Sequence, residues 1–238
     1  MNEMLALALK RAGADNLRAF QQSAGLPVTG EMDAATITAL EPYLLGYRGV
    51  VVQEGDTFYI LAQRYETTVE AIEAANPGVD ASHLMIGSSL IIPLNFPLVP
   101  TNIPMTAELC DYCIRGLAAR YPFCRTEVLG YSAYGRPIRS LVLGQGPKKV
   151  LYNASHHANE WITTPVLLKF AEELAQAIAT NNTLLGIPGP QLAQAATVHL
   201  VPMVNPDGVD LVTGALQPGD DGYEAARNLA LYFPQIPL

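Results

Sequence analysis

The spacing of apolar positions divides the chain into three blocks. In the first, Leu17, Phe20 and Ala24 fall on one helical face, and the run Gly25-Leu26-Pro27-Val28-Thr29-Gly30 ends that helix. Asp33 stands where it can cap a second helix running through Leu40. In the second block, Val50-Val51-Val52 leads into Gln53-Glu54-Gly55-Asp56-Thr57, a turn whose Asp or Thr can cap a helix over 58–65. A short helix over 69–75 then stops at Asn76-Pro77-Gly78, and Leu90-Ile91-Ile92-Pro93 closes the block as a strand. In the third, the pattern predicts a helix over 106–121 and strands over 126–132, 138–143, 149–154 and 198–204. Between the last two strands, Thr164 caps a helix with Pro165 at its first position, and Val166, Phe170, Leu174 and Ile178 recur every four residues along it. Strands alternating with helices of this length indicate an α/β domain with a buried sheet.

These patterns predict a multidomain chain: a small all-α module over 1–46, a β-α-α-β module over 47–94, a linker over 95–104 and an α/β domain over 105–238. Pro93, Pro97, Pro100 and Pro104 make the linker semi-rigid.

Composition narrows the function. Half the residues are hydrophobic and 15% are charged, which suits packed domains rather than disorder. The net charge is −8, and from residue 150 onward two basic residues (Lys169, Arg227) face eight acidic ones. This excludes the basic footprint that nucleic acid or an anionic membrane would need. No apolar run approaches the roughly 20 residues of a membrane span. At the start, Lys10 and Arg11 follow the apolar Leu5, Leu7 and Leu9, the reverse of a secretory signal.

Candidate chemistry sits at two strand ends. Ser155-His156-His157-Ala158-Asn159-Glu160-Trp161 follows the strand over 149–154, and Asn205-Pro206-Asp207-Gly208 follows the strand over 198–204. Open α/β sheets bind ligands at the carboxyl ends of strands. His157 and Glu160, three apart in a tight turn, can converge on one ion, and mixed nitrogen and oxygen donors suit zinc. Against this, His and Glu at that spacing are common, and Asp207 in Asn-Pro-Asp-Gly is well suited to plain turn formation. Cys110 and Cys113 share a helical face; with Cys124 they read as reduced thiols half buried against a core, a redox pair or a cysteine zinc site.

Three resemblances follow from these strings. Residues 17–30 resemble the small helical peptidoglycan-binding domain, with its aromatic-Gln pair, Gly-Leu and closing Gly. Residues 47–94 look like a LysM domain, on Gly55-Asp56-Thr57, Ile72, Asn76-Pro77, Leu84, Gly87 and Ile91-Pro93. That resemblance implies binding of N-acetylglucosamine-containing peptidoglycan chains by Gly55, Asp56, Thr57 and Ile86, residues that capping and turn formation explain equally well. The third block resembles zinc carboxypeptidases through Tyr131-Ser132-Ala133-Tyr134-Gly135-Arg136-Pro137-Ile138, His157-Ala158-Asn159-Glu160-Trp161 and Asn205-Pro206-Asp207-Gly208. With the two modules ahead of it, the block most resembles γ-D-glutamyl-meso-diaminopimelate peptidases.

The carboxypeptidase resemblance implies a mixed sheet flanked by helices, a Zn2+ cofactor with His157 and Glu160 as two of three protein ligands, and peptidoglycan stem peptides as substrate. By it, the third ligand, the carboxylate-binding arginine and the catalytic glutamate all lie beyond Leu238. His199 falls inside a strand and His156 is out of register. Two functions are therefore expected: a wall-targeted zinc peptidase, or a peptidoglycan-binding protein with an incomplete, inactive peptidase domain. Either acts at the cell wall or spore, and the N-terminus as read allows a cytoplasmic role within a sporulating cell.

Overall fold

The computed structural model describes residues 3–232. Helices α1 (Glu3–Arg11), α2 (Leu17–Ser23) and α3 (Ala34–Leu45) form the first module around Ala8, Leu9, Phe20, Leu40 and Leu44. The Phe20-Gln21 pair divides its labour between core and turn. Phe20 fills the core, while the fully buried Gln21 donates to Thr29 Oγ1, Thr36 Oγ1 and the Glu31 carbonyl and accepts from Gly30 N at 2.8 Å. Asp33 caps α3 as expected, accepting from Thr36 N at 2.8 Å, but the helix runs on past Pro42 to Leu45.

Strands β1 (Tyr47–Val51) and β2 (Ser89–Pro93) pair antiparallel and enclose α4 (Phe58–Arg64) and α5 (Val69–Ala75). Leu61, Ile72 and Ile92 are fully buried, each worth about 1.5–3 kcal/mol of transfer free energy. Asn76 ties α5 to β2: its Nδ2 donates to the Ile72 and Ile91 carbonyls, and its Oδ1 accepts from Ile91 N at 2.8 Å.

The third unit holds α6 (Ala107–Arg120), β3 (Arg125–Tyr131), β4 (Pro137–Leu143), β5 (Lys148–Asn153), α7 (Thr163–Ala179), the short hairpin β6 (Thr183–Leu184) and β7 (Ile187–Pro188), α8 (Gly189–Ala195), β8 (Ala196–Val201), α9 (Pro206–Val212) and α10 (Asp221–Tyr232). The sheet order is β3-β4-β8-β5, antiparallel at the first two pairings and parallel between β8 and β5, so it is a mixed sheet. The core joins α6 and α7 to the central strands through Leu109, Leu117, Leu141, Leu143, Leu168 and Leu200.

Several expectations are corrected here. The sheet is not buried throughout: Leu151 and Tyr152 on β5 and Leu129 and Tyr131 on β3 are exposed, because both strands lie at edges. Thr164 does not cap α7; the helix starts at Thr163, and the Thr164 hydroxyl donates to the Pro202 carbonyl at 2.6 Å. The three cysteines are fully rather than half buried, and they are unbridged.

The proline-rich segment 95–104, expected as a semi-rigid linker, is packed into a junction. Leu98 and Met105 are completely buried in the core of the third unit, and Leu98 N donates to Glu172 Oε1 at 2.6 Å. Arg120 reaches across from α6, with Nε and Nη2 donating to the Gly46 carbonyl (3.0 and 2.8 Å), Nη2 to Leu94 O (2.8 Å) and Nη1 to Phe96 O (3.0 Å). Arg11 does the same from α1, donating to the Tyr43, Pro97 and Leu98 carbonyls. The Phe96, Pro97 and Leu98 carbonyls of the proline-rich segment thereby gain donors from two guanidinium groups. Gly116 lets α3 approach α6, since a Cβ there would stand 2.2 Å from the Leu45 carbonyl oxygen.

Candidate metal centre

Both polar clusters do lie at carboxyl ends of strands, and those strands are parallel neighbours. The pairing of β5 with β8 continues past their ends through Ala154 N to Val201 O, Val204 N to Ala154 O and Asn205 N to Ser155 O, each 3.0 Å. Segments 154–155 and 204–205 are thus laced side by side.

Ser155 then turns the chain outward with φ of 47°, a left-handed conformation that costs a non-glycine residue about 1–3 kcal/mol. Threonines at the head of α7 hold it there. Ser155 N donates to Thr163 Oγ1 at 2.8 Å, the Ser155 and Thr164 hydroxyls lie 2.6 Å apart, and Thr163 Oγ1 donates to the Glu160 carbonyl at 2.8 Å. Braced so, Ala158–Glu160 forms a single 3-10 turn.

That turn brings His157 Nδ1 to 3.3 Å from Glu160 Oε2, with both side chains largely open to solvent. Two ligands at roughly 2.0–2.2 Å from one tetrahedral ion stand about 3.4 Å apart. The pair therefore fits two positions of a zinc site by donor type and by separation. Among the described residues no third His, Cys, Asp or Glu joins it. His199 lies on β8, paired with Val142 and Leu151, and His156 packs edge-on to His157 with ring centroids 5.9 Å apart. A cavity of about 840 Å3 lies elsewhere, lined by Glu108, Asp111, Arg136, Arg139 and Asp210 among others.

Asn205-Pro206-Asp207-Gly208 is more than a turn. Asn205 caps α9 by accepting from Gly208 N at 3.0 Å, and Pro206 opens the helix. Asp207 reaches back to the β3–β4 connection: Oδ1 accepts from Ser132 Oγ (2.8 Å) and Arg136 Nη1 (2.7 Å), and Oδ2 from Tyr134 N (3.1 Å). Arg136 also pairs through Nε with Asp210 Oδ2 at 3.1 Å. Burial pushes the Asp210 carboxyl up, against the Ala107 amide and the Arg136 guanidinium that pull it down. The sequence showed these residues as a motif but not that its parts meet; a charge partner 71 positions away leaves no local signal.

The residues expected to bind glycan gather at one end of the β1–β2 pair, where Gly87 N donates to Val52 O at 2.9 Å and brings segment 85–87 beside segment 53–57. Gly55 is exposed with φ of 83°, and Ile86 is 69% exposed. Thr57 spends its hydroxyl capping α4, accepting from Ile60 N. Asp56 points inward, accepting from Gln53 N and Arg64 Nη2, both at 2.8 Å. Those bonds, the Gln53 amide first, hold its carboxyl below the usual range. Met85 and Tyr59, 70% and 63% exposed, add apolar surface that the motif did not mark.

Three segments of the chain match known family models. Residues 111–227 match the family model of the zinc carboxypeptidases, 50–93 that of the LysM domain and 14–40 that of a peptidoglycan-binding domain. The third unit thus matches the zinc carboxypeptidase model, behind segments that match the LysM and peptidoglycan-binding models. The chain is 40% identical over 115 residues to gamma-D-glutamyl-L-diamino acid endopeptidase 1 of Lysinibacillus sphaericus, covering 48% of this chain and 28% of the relative. It is 47% identical over 94 residues to the uncharacterized protein YqgT of Bacillus subtilis (strain 168), covering 39% and 25%. A metallo-carboxypeptidase structure from Burkholderia cenocepacia aligns at 25% identity and a TM-score of 0.36, over 53% of this chain and 35% of that one. The chain spans about a quarter of the length of these two sequence relatives. No described helix is long and apolar enough to cross a membrane.

Proposed function

We propose that this chain is a wall-targeted zinc peptidase that acts on peptidoglycan stem peptides, at the amide joining γ-D-glutamate to diaminopimelate. The observation that carries the reading is the His157–Glu160 pair, two zinc-type donors 3.3 Å apart at the carboxyl end of β5. The likeness to the gamma-D-glutamyl-L-diamino acid endopeptidase of Lysinibacillus supports the bond class, and the two N-terminal modules support the wall as the place of action. Bound there, zinc would polarise the scissile carbonyl and lower the pKa of its water. The chain's own contribution is to orient the donors: Ser155, Thr163 and Thr164 hold the turn, while Asp207 fixes the β3–β4 connection beside it. Gly55, Thr57 and Ile86, with Met85 and Tyr59, form the glycan-facing end of the LysM module, and Asp56 stiffens that end from inside.

The test is hydrolysis of a γ-D-glutamyl-diaminopimelate peptide by the 238-residue chain with added zinc. Cleavage that Glu160→Gln removes supports the peptidase reading. A second reading, a non-catalytic wall-binding protein, is favoured by the two-donor count among the described residues. Sedimentation with insoluble peptidoglycan without cleavage selects it.

A further inference from the structure

Helix α9 packs against the 3-10 turn Ala158–Glu160, and the residue at that contact is Gly208. A Cβ at Gly208 would stand 2.9 Å from Ala158 Cβ, 2.6 Å from Asn205 Nδ2 and 2.9 Å from Asn205 Oδ1. Carbon atoms pack at about 3.5–4.0 Å, so a side chain here would have to displace a neighbour. Neither neighbour yields cheaply. The Asn205 side chain is held by the cap bond its Oδ1 accepts from Gly208 N, and its backbone by the N–H it donates to Ser155 O. Ala158 begins the turn whose far end is tied through the Glu160 carbonyl to Thr163.

Backbone conformation does not explain the glycine. Gly208 is not among the glycines with positive φ, and within a helix alanine is the better residue. Only the space beneath the turn calls for hydrogen at this position.

We infer that Gly208 is a positioning residue for the His157–Glu160 pair: its missing side chain lets α9 seat close enough to hold turn 158–160 where Nδ1 and Oε2 stand 3.3 Å apart. The inference rests on reading that pair as a metal site and extends it by giving a residue without any donor atom at the ion a share in metal affinity. Groups behind metal ligands commonly change affinity 10–100-fold when altered.

The experiment uses the 238-residue chain carrying Gly208→Ala, with Ala158→Val as a second variant that bulks the same contact from the turn side and leaves α9 untouched. Backbone amide shifts of residues 157–161 and zinc affinity by chelator competition are read together with the urea midpoint. Both variants are expected to move those amides and weaken zinc about tenfold or more, out of proportion to any loss of stability. Adding Ala158→Gly to Gly208→Ala removes one of the overlapping atoms and restores part of the affinity. Unmoved amides in both folded variants overturn the inference. Failure of the unaltered chain to take zinc overturns the metal reading instead, and the amide shifts still decide the role of Gly208.

Discussion

Asp207 Oδ1 lies 2.7 Å from Arg136 Nη1, although 71 residues separate the two in the chain. The same carboxylate takes the Ser132 hydroxyl and the Tyr134 amide, so one side chain closes three bonds across the β3–β4 turn. Asp207→Ala is expected to destabilise the third unit by about 2–3 kcal/mol, since bonds to a charged group are lost and their donors left without it. Urea unfolding measures this, and a change below about 0.5 kcal/mol would contradict the assigned role.

The metal pair makes a sharper demand. His157→Ala should remove zinc binding measured by competition with a chromogenic chelator, whereas His199→Ala should leave it intact. Equal losses from both would overturn the ligand assignment.

Asp56 predicts a pH dependence. Its folded-state pKa is depressed, so the unfolded chain binds its proton more readily. The stability it contributes is present above the ordinary aspartate pKa and is lost as pH falls through the depressed folded value. Asp56→Asn should flatten the acid side of the LysM module's melting-temperature profile. An unchanged acid limb would show that the Gln53 and Arg64 bonds contribute nothing there.

The thiols should be silent. Burial pushes Cys113 and Cys124 up to about 12 and Cys110 well above its usual value, so all three stay protonated at neutral pH. A thiol-disulfide reagent at pH 8 should label the native chain only at the rate of unfolding, and Cys124→Ser should leave zinc content unchanged. Rapid native labelling, or zinc lost with Cys124, would revive a cysteine site.

At the module junction, Arg120→Met leaves the Leu94 and Phe96 carbonyls without their buried donor and the Gly46 carbonyl with the Leu94 amide alone. A cost of about 3–5 kcal/mol is expected, together with new protease cleavage within 95–104. Unaltered resistance to protease would mean the segment is held by Leu98 and Met105 alone.

Much of this was legible in the chain. Turn formers and caps at Asp33, Thr57 and Asn76 placed the small modules, because each acts on its own few neighbours. The His-x-x-Glu turn was legible for the same reason, its two donors being three residues apart. What escaped was carried by distant partners. Asp207 read as a turn former because Ser132 and Arg136 are remote in sequence. The segment 95–104 read as a linker because prolines mark extended chain whether it is solvated or packed, and nothing local announces Arg11 and Arg120. The β6–β7 hairpin was missed because its turn puts Leu185 in the left-handed region beside Gly186, a residue type that does not signal such a turn.

The two arginines at the junction also set a length scale. A module on a slack tether searches a sphere and raises the chance of meeting any bond within it. Here Arg120 on α6 holds the Gly46, Leu94 and Phe96 carbonyls and Arg11 on α1 those of Tyr43, Pro97 and Leu98, so the LysM end and the third unit meet through a bonded junction instead of a tether. On the proposed function, a sugar strand held at the LysM end would offer the turn at His157 only those side branches that fall at the distance this junction sets. The molecule would work as a caliper along the wall, and lengthening the junction by a few residues would trade that selectivity for indiscriminate coverage.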